Sequence, residues 1–361
     1  MRKPVRLFLI ASAAATAAPF LGAANEPSKN DELARCYERQ AALVPFSGVV
    51  LAKDASTNFV TASGYMDEAQ SRPISADTRF RLASVQKVLT KTAIGLLVEQ
   101  GKLGLDDPVG KYVPDLPDEL ASATIQQLLD HRSGAAAFTR LSPEVQAALL
   151  DARTTSDLVD LVASQPTSFR PGERQEYSNG GFFLLGAVIE RISGKSYGDY
   201  LAAAIFRPLG MTATGLTGDT RTASPLSKMA AEMRSAAAIP MGSGERRASP
   251  AGDGVSTASD LARLGAALAG DKFLSRTTRE RLFRPRDGVW RIGQGGGTLG
   301  SNTDLAAFPD NGWVIVVLSN FDPPAGELMA EALRGVVLGK GCTPLSEKDR
   351  PSPLRRRPPS S

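Results

Sequence analysis

Histidine and cysteine are almost missing from this 361-residue chain, which has one histidine, His131, and two cysteines, Cys36 and Cys342. Three such residues, widely scattered, match no zinc-ligand spacing. A nucleophile that depends on histidine has a single candidate partner. Net charge is also low. The sum is +4, but Arg2, Lys3 and Arg6 open the chain and Arg355, Arg356 and Arg357 lie near its end, leaving the body close to neutral. A nucleic-acid-binding face is therefore not indicated. No internal repeat is found. The N-terminal apolar run, Leu7 to about Ala18, is too short to cross a bilayer and is interrupted by Pro19.

What is present begins with that N-terminus. A basic start, an apolar run and the small residues Gly22-Ala23-Ala24 form the pattern of a secretory signal, expected to span residues 1–24. The protein is thus expected in the periplasm or outside the cell, with no stable membrane span after cleavage. No cysteine follows the cleavage site directly, so no lipid attachment is expected there. In an oxidising compartment Cys36 and Cys342 can bridge, although two separate buried thiols fit the sequence as well.

Along the body, Asp31 to Leu43 has helical spacing of Leu33, Tyr37 and Ala41. Two strand-like runs follow, Phe46 to Ala52 and Asn58 to Tyr65. A mostly helical middle extends from Ser84 to about Gly270, with its clearest helices at Ser84 to Glu99, Thr124 to Leu129, Gly181 to Ile192 and Asp260 to Leu268. Strands return at Val289 to Gly293, Thr303 to Phe308 and Trp313 to Ser319, with Pro309-Asp310-Asn311-Gly312 as the last turn. Pro324 to Leu338 reads as a closing helix. This order predicts an α/β fold of α+β type. A discontinuous domain of residues 25–83 and 255–345 surrounds a mainly helical one of 84–254, and residues 346–361 form a disordered tail. A sheet flanked by the terminal helices would bring Cys36 near Cys342.

Three short segments can carry chemistry. In Ser84-Val85-Gln86-Lys87, a helix starting at Ser84 places Lys87 on the same face one turn later. A serine hydroxyl needs a neighbouring base, which a desolvated lysine can be. A helix N-terminus also favours a developing oxyanion. A helix cap beside a surface lysine would have the same sequence. Tyr177-Ser178-Asn179 offers a phenol to share a proton and a carboxamide to hold a substrate carbonyl; a packed loop tyrosine is its plainer explanation. Gly293-Gln294-Gly295-Gly296-Gly297, placed at the end of a strand, lets backbone approach a ligand closely. A dinucleotide loop is excluded, because Thr298 stands where the third glycine belongs and no helix follows.

Two apparent motifs fail. Gly194-Lys195-Ser196-Tyr197-Gly198 matches a nucleophile elbow, but that motif needs a strand before it and a histidine after it. Here a helix ends at Gly194, Ser196 with Asp199 resembles a helix cap, and His131 comes earlier. His131 itself, at a helix end, reads as structural.

The three segments resemble, in order and separation, those of the class C β-lactamase and penicillin-binding-protein family, which includes esterases and D-amino-acid peptidases. The flanking Phe80-Arg81-Leu82-Ala83, Leu128 to Gly134, Pro171-Gly172-Glu173, Pro208-Leu209-Gly210-Met211 and Ser256 to Leu261 strengthen the resemblance, which runs from about Leu43 to Gly339. It implies a β-lactamase/transpeptidase-like fold, with an antiparallel five-stranded sheet flanked by terminal helices and an inserted helical domain. It also implies an acyl-enzyme on Ser84, with Lys87 and Tyr177 shuttling the proton. Asn179 orients the substrate amide, Gln294, Gly296 and Gly297 line its binding strand, and the oxyanion meets the amides of Ser84 and Gly297. No metal or organic cofactor is required, and the partner is a small-molecule or peptide substrate.

One position departs from the family pattern. Gln294 stands where a lysine or histidine is usual, and Gly295 where a hydroxyl residue is common. A cation there would meet a substrate carboxylate, and charge-assisted hydrogen bonds are roughly twice as strong as neutral ones. Weak β-lactam turnover is therefore expected, with esters or uncharged amides preferred unless Arg132 or Arg291 compensates. A non-catalytic binding protein on the same fold is the competing expectation.

Overall fold

The computed structural model describes residues 27–138, 142–217, 221–224, 226, 249–252, 254–284 and 288–345. The expected signal peptide (1–24) and tail (346–361) lie outside them. In chain order, helix α1 (Lys29–Leu43) is followed by strands β1 (Gly48–Lys53), β2 (Asn58–Ser63) and the short β3 (Phe80–Arg81). A 3-10 turn, Ala83–Val85, then leads into α2 (Gln86–Glu99). The middle holds α3 (Asp118–Ala121), α4 (Ile125–Leu129), α5 (Pro143–Asp151), α6 (Thr155–Ala163), α7 (Gly180–Ser193) and α8 (Tyr197–Leu201). The chain continues with β4 (Val255–Ser256), α9 (Ala258–Ala269), α10 (Arg276–Leu282), β5 (Ile292–Thr298), β6 (Ser301–Ala307), β7 (Val314–Ser319) and α11 (Ala325–Val337).

Five strands form one antiparallel sheet in the order β2-β1-β7-β6-β5, so both ends of the chain are needed to build it. Side chains alternate across it. On one face Val49, Leu51, Leu305, Val316 and Leu318 join the large core formed with the helical middle. On the other, Val50, Ala52, Ala306, Ile315 and Val317 pack against Leu33 of α1 and Leu333 and Val336 of α11. α1 starts on a capping box made by Ser28 and Asp31. Its buried Gln40 makes a two-way amide bond to the backbone of Leu345, at 2.8 and 2.7 Å.

Cys36 and Cys342 are joined, with Cα atoms 5.5 Å apart, tying α1 to the segment after α11. This decides between the bridge and two separate thiols. None of the helices among the described residues is long and apolar enough to cross a membrane.

One expected strand is displaced. Val289 to Gly293 reads as a strand in the sequence, yet β5 begins at Ile292 and runs through the glycines, with Gly293 to Gly297 paired to Ala306 to Asn302. Glycine is a poor strand former. Here the two-residue turn at Leu299-Gly300 and the ladder to β6 fix the conformation, a long-range effect that local propensity does not show.

Candidate active site

The nucleophile candidate sits where a short strand meets a helix. β3 pairs with β4, and Leu82 N–H donates to the Gly254 carbonyl at 2.7 Å, so the chain enters the 3-10 turn already anchored. From the sheet side, Ser301 Oγ donates to the Arg81 carbonyl at 2.9 Å and Thr303 Oγ1 to the Leu82 carbonyl at 2.8 Å. These bonds hold Ala83 at φ 43°, the left-handed region. A non-glycine residue there costs about 1–3 kcal/mol and persists only when its surroundings determine it. Ser84 follows, at the start of the turn into α2.

Lys87 is fully buried. Its Nζ lies 3.1 Å from Ser84 Oγ, 2.9 Å from Asn179 Oδ1 and 2.5 Å from the Ala251 carbonyl oxygen. It also lies over the rings of Tyr177 and Phe182, 5.0 and 5.4 Å from their centroids. Tyr177 Oη is 2.7 Å from Ser84 Oγ. One hydroxyl is thus shared by an amine and a phenol. Burial pushes the Tyr177 phenol above its usual range, and its hydrogen bonds to Ser84 and Gln294 offset this only in part.

The Tyr177 loop is fixed from below by His131. The His131 carbonyl accepts from Glu176 N–H at 2.9 Å and its Nδ1 accepts from Ser178 N–H at 3.2 Å, one bond on each side of Tyr177. Its ring also packs on that of Tyr177, centroids 4.5 Å apart. Ser178 Oγ donates to the Ala136 carbonyl and accepts from Gly181 N–H, which leads into α7. Asn179, at the N-cap of α7, makes no side-chain cap bond, because Ser178 Oγ takes the Gly181 N–H, and its carboxamide oxygen accepts from Lys87 instead.

β5 forms the opposite wall. A methyl group on Gly296 would fall 2.6 Å from the Leu82 oxygen and 2.8 Å from Ser84 N, so only glycine lets the strand approach Ser84 this closely. Ile292, Gln294 and Gly296 share the face toward the helices, and the Gln294 side chain is near enough to the Tyr177 phenol to lower its pKa. Gly297 is next in line. The structure thus brings together Ser84, Lys87, Tyr177 and Asn179 and sets Gly296 against Ser84, with Gln294 and Gly297 on the same strand.

The two arginines that could have replaced the missing cation are engaged elsewhere. Arg132 donates to the Gly172 carbonyl. Arg291 lies 3.8 Å from buried Asp304, which pairs opposite Gly295, on the sheet face where Arg334 of α11 also meets it. Ser196 is a helix cap, with Oγ donating to Asp199 Oδ2 at 2.7 Å and accepting its N–H at 3.2 Å, and Gly194 before it ends α7 at φ 65°. The Ala251 carbonyl is the member of the cluster that the sequence does not reveal. It is a backbone group in a Pro-Ala-Gly stretch and leaves no side-chain signal.

An antiparallel sheet covered by helices on both faces, with a serine, a buried lysine and a tyrosine converging at the edge, defines the penicillin-recognising class of folds. The beta-lactamase family model matches residues 39–338, and the chain belongs to that family. It is 30% identical over 284 residues to penicillin-binding protein 4* of Bacillus subtilis, covering 72% of this chain and 60% of the relative. It is 34% identical over 182 residues to esterase EstB of Burkholderia gladioli, covering 46% of this chain and 45% of the relative. The matched region thus spans about half to three-fifths of these curated relatives.

Solved structures match over more of their length. A penicillin binding protein from Bacillus halodurans superposes with a TM-score of 0.68 at 27% identity, over 83% of this chain and 98% of that one. The D-amino acid amidase of Ochrobactrum anthropi SV3 does so with a TM-score of 0.68 at 25% identity, over 86% and 96%.

Proposed function

We propose that this chain is an exported serine hydrolase that forms an acyl-enzyme on Ser84 and acts on esters or uncharged amides. The observation that carries this reading is the position of Ser84 Oγ, 2.7 Å from Tyr177 Oη and 3.1 Å from Lys87 Nζ. As a neutral amine, Lys87 keeps its two donations to Asn179 and Ala251 and turns its lone pair to the serine hydroxyl. Ser84 then attacks the carbonyl carbon while its proton passes to Lys87, and the carbonyl oxygen gains charge against the Ser84 and Gly297 amides.

Tyr177 serves as a proton relay, through its hydroxyl on Ser84 Oγ. It delivers a proton to the leaving group and recovers one from Lys87. In the second half-reaction water attacks the acyl carbon, its proton passes through Tyr177, and Ser84 is regenerated. Asn179 orients the substrate amide.

The neutral Gln294, with Arg132 and Arg291 occupied, supports substrates without a carboxylate beside the reacting carbonyl. Two of the four relatives, an esterase and a D-amino acid amidase, have names that fit that class, and the other two are penicillin-binding proteins. Export is supported by the Cys36–Cys342 bridge.

Hydrolysis of a panel of p-nitrophenyl esters, amino-acid amides and penicillins tests this reading. Ester or amide turnover is expected to exceed penicillin turnover, and to fall by at least about 10³-fold in Ser84→Ala. Turnover that survives Ser84→Ala would remove Ser84 from the mechanism. Inertness across the panel would favour a ligand-binding protein.

A further inference from the structure

Beneath the site runs a buried chain of hydrogen bonds that the mechanism above does not use. Thr90 Oγ1 lies 2.6 Å from the Pro250 carbonyl oxygen and 2.6 Å from Tyr197 Oη, and Gln86 Nε2 lies 2.9 Å from that same Oη. Gln86, Thr90 and Tyr197 are all buried. A carbonyl only accepts, so the Thr90 hydroxyl must donate to Pro250. Thr90 Oγ1 then accepts from Tyr197, and Tyr197 Oη accepts from Gln86. The direction is fixed throughout: Gln86 to Tyr197 to Thr90 to the Pro250 carbonyl.

The next carbonyl along, that of Ala251, accepts from Lys87 Nζ at 2.5 Å. Ser84, Lys87 and Thr90 recur every third residue, so Lys87 and Thr90 lie on one face of α2 and grip two successive carbonyls of one segment. α8 contributes Tyr197 from the far side. Tyr197 and Pro250 also line an 810 Å³ cleft shared with Glu190, Lys195 and Thr214. The Pro250–Ala251 segment therefore has open space beside it, and Thr90 ties it to α2 at Pro250 as Lys87 does at Ala251.

We propose that Thr90, locked by Tyr197 and Gln86, is a positioning residue for the reaction. It fixes the Pro250–Ala251 segment so that the Ala251 carbonyl holds Lys87 Nζ on Ser84 Oγ. This rests on the reading in which Lys87 takes the Ser84 proton. Without the Thr90 donor the Pro250 carbonyl loses its buried partner, the segment shifts toward the cleft, and the amine loses one of the contacts that aim its lone pair.

The test compares wild type with Thr90→Val, Thr90→Ser and Tyr197→Phe. It measures the rate of Ser84 modification by a fluorophosphonate across pH, together with kcat and KM for one ester. Thr90→Val keeps the shape and removes the donor. Its modification rate and kcat are expected to fall about 10-fold or more with KM within about two-fold, because small misplacements of reacting groups are costly. The acid limb of its pH profile is expected to move from the wild-type position. Thr90→Ser restores the donor and should return both readouts to within about three-fold of wild type.

Tyr197→Phe cuts the chain one bond further from Lys87 and provides the reading should Thr90→Val fail to fold. Its expected loss is smaller but of the same kind. Wild-type rate and pH profile in a folded Thr90→Val or Tyr197→Phe protein would overturn the proposal, as would failure of Thr90→Ser to rescue. If instead wild type itself is unmodified, or modification persists in Ser84→Ala, the hydrolase reading has failed.

Discussion

At the scale of single residues, the proposed substrate preference turns on Gln294. It stands on β5 near the Tyr177 phenol, while Arg132 bonds the Gly172 carbonyl and Arg291 lies beside Asp304. Gln294→Lys places a cation where a substrate carboxylate would lie. The ratio of penicillin to ester turnover is expected to rise by about 10-fold, the value of replacing a neutral hydrogen bond by a charged one at roughly 1.4 kcal/mol. Steady-state assays with both substrate types measure it, and an unchanged ratio would show that Gln294 does not face the acyl group.

The residues around it were legible in unequal measure. Ser84 and Lys87 stand out at a spacing a helix turn explains, and Tyr177 and Asn179 through the order of segments that resembles the family. Thr90, Tyr197 and the Ala251 carbonyl do not stand out. Their meaning lies in contacts between positions more than a hundred residues apart, and a backbone carbonyl has no sequence signature at all.

At the scale of elements, the helices followed from local chemistry and the catalytic strand did not. Ser28, Thr124, Thr154, Ser196 and Thr257 each accept from the third residue of the helix they start, a pattern visible in sequence. β5 is different. In the sequence its glycines read as the end of a strand, whereas pairing with β6 carries the strand through them. Gly296→Ala tests this. The added methyl would meet the Leu82 oxygen at 2.6 Å and Ser84 N at 2.8 Å, both backbone atoms that cannot swing aside. The strand must retreat from Ser84, and kcat is expected to drop by about 10² or more, as when an oxyanion donor is removed. Melting temperature should move little, because β5 is an edge strand. Near-normal kcat in the variant would contradict the placement of β5 against the nucleophile.

At the scale of the molecule, the site depends on joining the two ends of the chain. β1 lies between β2 and β7, α1 and α11 cover the same sheet face, and the Cys36–Cys342 bridge with the Gln40–Leu345 amide pair closes the arrangement. The bridge lies on the sheet face opposite the Ser84 cluster. Replacing both cysteines by serine is therefore expected to cost about 2–5 kcal/mol in denaturant unfolding while leaving kcat and KM of the folded enzyme nearly unchanged. A large fall in kcat at full folding would mean that the terminal helices shape the cleft directly.

The central claim is that Ser84 is an activated nucleophile. Intact-mass measurement after exposure to a fluorophosphonate, and separately to a penicillin, tests it most directly on wild type and Ser84→Ala. The account predicts one covalent adduct per wild-type chain, stronger with the fluorophosphonate than with the penicillin and absent from Ser84→Ala. No adduct with either reagent, or one retained in the variant, would contradict it.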